Sequence, residues 1–206
     1  MARLQTNDPD VWNDAYETGV SPWDGGAPDE HLVHLVQSGK ILAGRVLDIG
    51  CGTGNESIYL SKAGFIVTGL DISRDAIEKA REKAKTENVS TEFLVADILG
   101  SLPFANNDFD LVIDRACFHF VPAERIPIYM ENLGRILRSG GSYILYAASD
   151  QDAHIRGPVH YTRDALLRLF APEYRIDDIQ IVTLSQHALQ PRPYLCRMVK
   201  LATSTN

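Results

Sequence analysis

Cysteine is scarce in this 206-residue chain, and its three copies, Cys51, Cys117 and Cys196, are odd in number and far apart. That pattern suits a reducing compartment and fits neither a disulfide framework nor a zinc-ligand spacing, so no disulfide and no metal is expected. Long apolar runs are missing too. Nothing approaches the roughly 18 residues of a membrane span, and the stretch from Met1 to Asp8 has no apolar core of the kind that marks a secretory leader. The chain is therefore expected to be soluble and cytoplasmic, with no membrane partner. Basic runs with interleaved aromatics are absent, and 20 Lys and Arg stand against 27 Asp and Glu, a net charge of -7. A phosphate-tracking surface needs the opposite balance, which argues against nucleic acid as a partner. No internal repeat, low-complexity tract or linker divides the sequence. Its length suits one α/β domain, residues 1–206, with a substantial buried core.

What is present is organised around Arg45 to Ser73, RVLDIGCGTGNESIYLSKAGFIVTGLDIS. The apolar run Val46-Leu47-Asp48-Ile49 stops at Gly50, Gly52 and Gly54, a helical pattern starts at Asn55, and a second apolar run from Ile66 to Leu70 ends in Asp71. This is a βαβ unit with a carboxylate at the tip of its second strand, the arrangement of a nucleoside site. The glycines are expected to let backbone approach a ligand closely, and Asp71 to accept hydrogen bonds from two ribose hydroxyls. A dinucleotide fingerprint has a third glycine where Asn55 stands, so the spacing here is G-x-G-x-G instead.

Around that unit, Pro9 to Thr18 reads as a helix with Trp12 and Tyr16 on one face, followed by the turn-rich Gly19-Val20-Ser21-Pro22-Trp23-Asp24-Gly25. Residues 1–28 are read as an arm, either an anchor on the core or a lid over a small ligand. Leu32, Leu35 and Val36 mark the next helix, closed by Gly39. Ser73 caps a helix with Ile77, Ala80 and Ala84 on its apolar face, and Thr91 to Val95 forms a strand ending at Ala96-Asp97-Ile98. Phe109 to Asp114 is a fourth strand with Arg115-Ala116-Cys117-Phe118-His119-Phe120 at its tip. Pro122 and Glu124 open a helix with Ile126, Met130, Leu133 and Leu137 on one face, and Gly140-Gly141 turns into a strand from Ser142 to Ala148. Asp150 to His160 is a polar loop, Thr162 caps a helix through Phe170, and two strand-like runs, Arg175 to Leu184 and Tyr194 to Leu201, follow. If the first and fourth strands are adjacent, Arg115 lies over the point where strand order reverses, where ligands of open parallel sheets sit.

The Val-Leu-Asp-Ile-Gly-Cys-Gly stretch with Asp71 resembles motif I of the class I methyltransferases, which bind S-adenosylmethionine (SAM). The arm with Trp12, Tyr16 and Trp23, the Asp114-Arg115 pair with Pro122, Arg125 and Tyr129 after it, and Gly157-Pro158 with Tyr161 resemble more narrowly the thiopurine, thiol/halide and tellurite methyltransferase group. The resemblance runs from about Val11 to Leu201. It implies a single doubly wound, mostly parallel seven-stranded sheet, Rossmann-like, with helices on both faces and the last strand antiparallel. It implies cofactor contacts from Trp12, Tyr16, Trp23, Asp48, Gly50, Cys51, Gly52, Asn55, Asp71, Ile72, Asp97, Ile98 and Asp114, with S-adenosylhomocysteine as product. Arg115 would be the catalytic residue facing a small-molecule acceptor, with His119 and His160 nearby, in a monomer or homodimer. Cys51 reads as a packed side chain rather than a nucleophile. Ala116 replaces the glycine usual after the Asp-Arg pair, and Val159-His160 replaces the second proline of the loop, so the acceptor is expected to differ from thiopurines.

Arginine cannot act as a base, so Arg115 at the strand tip suits a soft acceptor that is anionic when it reacts: a thiolate, a selenium or tellurium oxyanion, or a halide. The competing reading is an O- or N-methyltransferase with His119 or His160 as general base. A third is a SAM-binding module without catalysis.

Overall fold

The computed structural model describes residues 7–19, 21–155, 157–185 and 187–202, so the first six residues of the arm, and Val20 within it, lie outside the described residues. The chain runs α1 (Pro9–Glu17), α2 (Glu30–Gln37), β1 (Arg45–Ile49), α3 (Asn55–Lys62), β2 (Ile66–Asp71), α4 (Arg74–Thr86) and β3 (Glu92–Val95). It continues through β4 (Phe109–Arg115), α5 (Ile126–Ile136), β5 (Leu137–Ala147), α6 (Arg163–Phe170), β6 (Tyr174–Ile181) and β7 (Tyr194–Lys200). The strands form one sheet in the order β3-β2-β1-β4-β5-β7-β6. β1 pairs in parallel with both β2 and β4, and β7 runs antiparallel to both its neighbours. The doubly wound sheet expected from the sequence is therefore present, and its order reverses between β1 and β4.

Helices cover both faces, which is why the central strands read as unbroken apolar runs rather than alternating ones. Leu47, Ile49, Val112 and Leu145 face one way, against Leu133 and Ile136 of α5 and Phe170 of α6. Their neighbours Val46, Leu111, Ile113 and Ile144 face the other way, against Leu32 and Leu35 of α2 and Leu60 of α3. The period of two along each strand divides the core into these two layers. Helix starts follow side-chain caps, each satisfying backbone N–H groups that the helix itself cannot. Ser73 Oγ accepts from Ala76 N–H, Thr162 Oγ1 from Ala165 N–H, and Asp29 from His31 and Leu32 N–H.

Two elements differ from the sequence reading. Pro122 to Arg125 makes a single 3-10 turn, and the face that α5 buries is Tyr129, Leu133 and Ile136, while Met130 is only partly covered and Leu137 already belongs to β5. Burial of Tyr129 is tolerable because its hydroxyl has partners, donating to Asp114 at 2.6 Å and lying 2.8 Å from the Tyr143 hydroxyl. β5 also begins before the Gly140-Gly141 pair, not after it. The pairing jumps from Phe109–Leu137 to Leu111–Ser142, and the extra residues form a bulge in which Gly140 has φ +71°.

Candidate active site

The turn between β1 and α3 is held by the carboxylate of Asp71 at the end of the neighbouring strand. Gly52 N–H donates to its Oδ2 at 2.9 Å and Ser73 N–H to its Oδ1 at 2.8 Å. Burial raises the Asp71 carboxyl above the ordinary range against the pull of these bonds. Close approach of protein groups already accounts for two of the glycines. A Cβ on Gly50 would lie 2.6 Å from Cys117 Cβ, and one on Gly52 would lie 2.8 Å from the Tyr16 hydroxyl. The turn is thus packed between the tip of β4 and the arm.

Beyond the tips of β1, β2 and β4 lies an open cleft of about 800 Å³, part of it continuous with solvent. Trp12, Tyr16, Trp23, Gly50, Asp71, Ile72, Asp97, Ile98 and Arg115 all line it. Asp97 accepts from Leu99 N–H at 2.8 Å and from Asn7 Nδ2 at 3.3 Å. The arm closes one side through an edge-to-face aromatic chain in which Trp12 packs on Trp23 at 5.8 Å and on Phe120 at 5.1 Å. Trp23 Nε1 donates to the Tyr16 hydroxyl at 3.0 Å. Asp24 ties the arm to the glycine turn, its two oxygens accepting from Thr53 Oγ1 and Asn55 Nδ2 at 2.8 Å each. Burial acts to raise the Asp24 carboxyl, but the hydrogen bonds from Thr53, Asn55 and Gly26 outweigh it and hold the group below its usual range.

The remaining sequence-derived residues are not among the lining ones and have other work. Asp48 is buried under the turn and accepts from Ser57 Oγ at 2.6 Å; burial and the nearby Glu56 push its carboxyl up to about 8. Cys51 packs with Ile58, Ile77, Ala80 and Phe93. Asn55 is taken up by Asp24 and by the Lys83 ammonium. Asp114 accepts from Cys117 N–H at 2.8 Å, from Phe118 N–H at 3.0 Å and from the Tyr129 hydroxyl, so it folds the turn that carries Arg115. Ala116, within that turn, lines the cleft at φ +74°, a left-handed conformation unusual for a residue with a side chain. His119 is buried with Nδ1 accepting from Ala148 N–H at 3.1 Å, and burial lowers it to about 3. Partly buried His160 leaves Nε2 without a hydrogen-bond partner among the described residues.

Arg115 has a partner the sequence did not disclose. Its Nε lies 3.2 Å from Glu56 Oε1, an ion pair too poorly aligned to count as a hydrogen bond, with side chains only 11% and 7% exposed. Its Nη1 reaches the Trp23 carbonyl at 3.4 Å, and Glu56 Oε1 also accepts from Asp29 N–H at 3.1 Å. Burial works against the guanidinium charge, but Glu56 and Asp29 outweigh it and hold Arg115 protonated. Sequence reasoning also missed Asp24, Asn7, Phe120, Val121 and Pro122. Phe120 and Pro122 flank the β4 tip, so position alone could have found them; Glu56 has no local signal.

The cleft suits a nucleoside without phosphates. Gly52 N–H, which would face a pyrophosphate, is already committed to Asp71, and that carboxylate would repel one. Acidic groups at Asp71 and Asp97, each oxygen with spare acceptor capacity, and apolar walls at Ile72, Ile98 and Leu99 fit a ribose, a base and a sulfonium cation. Among the described residues no cluster of three or more His, Cys, Asp or Glu could hold a metal, and no helix is long and apolar enough to cross a membrane.

Comparison with known proteins agrees. The family described as "Methyltransferase domain" matches residues 46–141. A probable thiol methyltransferase 2 from Arabidopsis thaliana is 34% identical over 144 residues, 68% of this chain and 62% of that protein, so the match spans less than two thirds of the plant relative. A 2-heptyl-1-hydroxyquinolin-4(1H)-one methyltransferase from Mycobacteroides abscessus is 31% identical over 163 residues, 77% of this chain and 70% of that one. A solved structure from work on converting a disulfide bond into a thioacetal group during echinomycin biosynthesis superposes with a TM-score of 0.81 at 30% identity, covering 96% of this chain and 94% of the other. With the reversed strand order, the Asp71-clamped glycine turn and these relatives together, the chain belongs to the class I SAM-dependent methyltransferases, and proteins named thiol and thiocyanate methyltransferases are among those it resembles.

Proposed function

We propose that the chain transfers a methyl group from SAM to a small soft nucleophile, a thiol or thiolate, a selenium or tellurium oxyanion, or a halide, with Arg115 orienting the acceptor and stabilising its negative charge. The observation that carries this is a charged guanidinium in the cleft wall at the β4 tip, fixed beside Trp23. Bound SAM supplies an electrophilic methyl group on its own leaving group. The side chains' task is then to bind, orient and exclude water: Asp71 and Asp97 for the nucleoside, Trp12, Trp23 and Phe120 as walls. A thiol ionises near 8.5 and an alcohol near 15.7, so at pH 7 deprotonation costs about 2 kcal/mol for sulfur and about 12 kcal/mol for oxygen. A guanidinium about 4 Å away offers at most about 4 kcal/mol at an effective dielectric constant of about 20, sufficient for sulfur alone. The thiol methyltransferase name of one relative and the disulfide chemistry of another support a sulfur acceptor.

A second reading, O- or N-methylation with a histidine base, has the hydroxyquinolinone relative in its favour. Against it, His119 has spent Nδ1 on Ala148 and, lowered to about 3, is too weak a base near neutrality. The test is Arg115→Gln assayed with labelled SAM against thiols, halides, phenols and amines. Thiol turnover is expected to fall about 100-fold in kcat/KM while SAM affinity, read by calorimetry, stays within about threefold. Full thiol turnover in the variant overturns the proposal.

A further inference from the structure

The guanidinium of Arg115 does not face the cleft as a lone charge. Glu56, in the first turn of α3, lies against its Nε edge, and Asp29 and the Tyr146 hydroxyl lie behind Glu56, Tyr146 donating to Asp29 Oδ1 at 2.6 Å. Asp48 of β1 adds to this only as it ionises toward pH 8, and His187, partly buried, senses the Arg115 charge. Around one positive charge, then, stand the carboxylates of Glu56 and Asp29. A small anion entering the cleft meets a cation largely matched from behind. The Nη1 edge is aimed at the carbonyl of Trp23, which lines the cleft as Arg115 does.

We propose that Glu56 is a positioning residue that fixes which edge of Arg115 faces the cleft and offsets its charge, so that the site takes neutral thiols in preference to small permanent anions. The inference rests on the methyl transfer to soft nucleophiles proposed above. A neutral thiol enters without opposing the carboxylates, and loses its proton to solvent. The thiolate lone pair forms the new sulfur–carbon bond as the donor's sulfonium–methyl bond breaks, and that bond's electron pair remains on the donor sulfur. The aromatic walls of Trp12, Trp23 and Phe120 give the carbon part of such a thiol an apolar contact that a bare halide cannot use.

The experiment measures kcat/KM for butanethiol and for iodide, with SAM, in the unaltered protein, Glu56→Gln, Glu56→Asp and Asp29→Asn, across about pH 6 to 9. In Glu56→Gln the amide can still accept from Asp29 N–H, but the counter-charge is gone. Removing a charge about 6 Å from the acceptor at an effective dielectric constant of about 20 raises iodide kcat/KM by about 10- to 100-fold, mostly through KM, and moves the acid limb of the butanethiol profile down by about one to two pH units. Glu56→Asp, which keeps the charge, retains the original preference. Asp29→Asn moves the iodide-to-thiol ratio the same way by a smaller factor, and carries the test should Glu56→Gln fail to fold. An unchanged ratio in the folded members of the Glu56→Gln and Asp29→Asn pair, with Arg115→Gln still crippled, overturns the role of Glu56 alone. Full thiol turnover in Arg115→Gln overturns the reading beneath it.

Discussion

Asp48 offers the sharpest test of the electrostatics beneath the glycine turn. It is 2% exposed, and its carboxyl, pushed up to about 8 chiefly by burial, is protonated at neutral pH in the folded chain. Unfolded, it ionises near its ordinary value of 3.8. Between these values the folded state holds one proton more than the unfolded state, so stability falls as pH rises, by about 1.4 kcal/mol per pH unit for one proton, and levels off above the folded value. His119 acts in the opposite sense over a lower window. Its folded value of about 3 lies below the ordinary 6.5, so it removes stability as pH falls through that range and is silent above it. The interval from about pH 6.5 to about pH 8 is therefore free of His119, and Asp48 should contribute a loss of about 2 kcal/mol across it. Asp48→Asn keeps an oxygen to accept from Ser57 and removes the titration. Urea unfolding of both proteins at half-unit pH steps reads the result: the variant gains about 2 kcal/mol on the unaltered protein over that interval, whatever its offset at low pH. Parallel stability curves would mean that Asp48 is ionised in the fold, and would refute the account of a neutral carboxyl under the turn.

Two further outcomes follow from geometry. Ala116→Gly relieves a side chain held at φ +74°; set against glycine's greater freedom when unfolded, the net gain should be about 1 kcal/mol, a rise of about 2 to 4 °C in Tm by calorimetry. Asp24→Ala removes both acceptors that tie the arm to Thr53 and Asn55; losing about 1 to 2 kcal/mol of hydrogen bonding should weaken SAM binding about 5- to 30-fold in calorimetry, and unchanged affinity would mean that the arm is only an anchor.

The parts legible in the sequence are those fixed by short-range physics. Arg45 to Ser73 announced its strand, turn, helix and second strand through apolar runs broken by glycines, and Ser73 and Thr162 marked helix starts as side-chain acceptors. The strand tips, and with them Asp71, Asp97 and Arg115, followed because parallel strands end their apolar runs on one side of the sheet. Missing from that reading was whatever depends on partners far along the chain. Tyr129 displaced Met130 from the α5 core face because Asp114 and Tyr143 satisfy its hydroxyl, a match no helical period encodes. Glu56 looked like an ordinary first-turn acid, yet α3 buries Asn55, Glu56 and Ser57 together, since Asp24, Arg115 and Asp48 arrive from three other segments to pair with them. The glycines were rightly associated with close approach, but only the folded structure identifies Cys117 and Tyr16 as the groups that come close.

The placing of β7 bears on how the molecule assembles. β1 to β5 can join outward as each is made, but β6 has no strand beside it until residues 194–200 slide between it and β5. That half of the sheet closes in a single late event joining β5 to β7 across about fifty positions of sequence, the kind of distant contact that slows folding and leaves two unpaired edges waiting. A nascent chain halted before Tyr194 would therefore hold its nucleoside crevice nearly complete while β5 stays open to a neighbour.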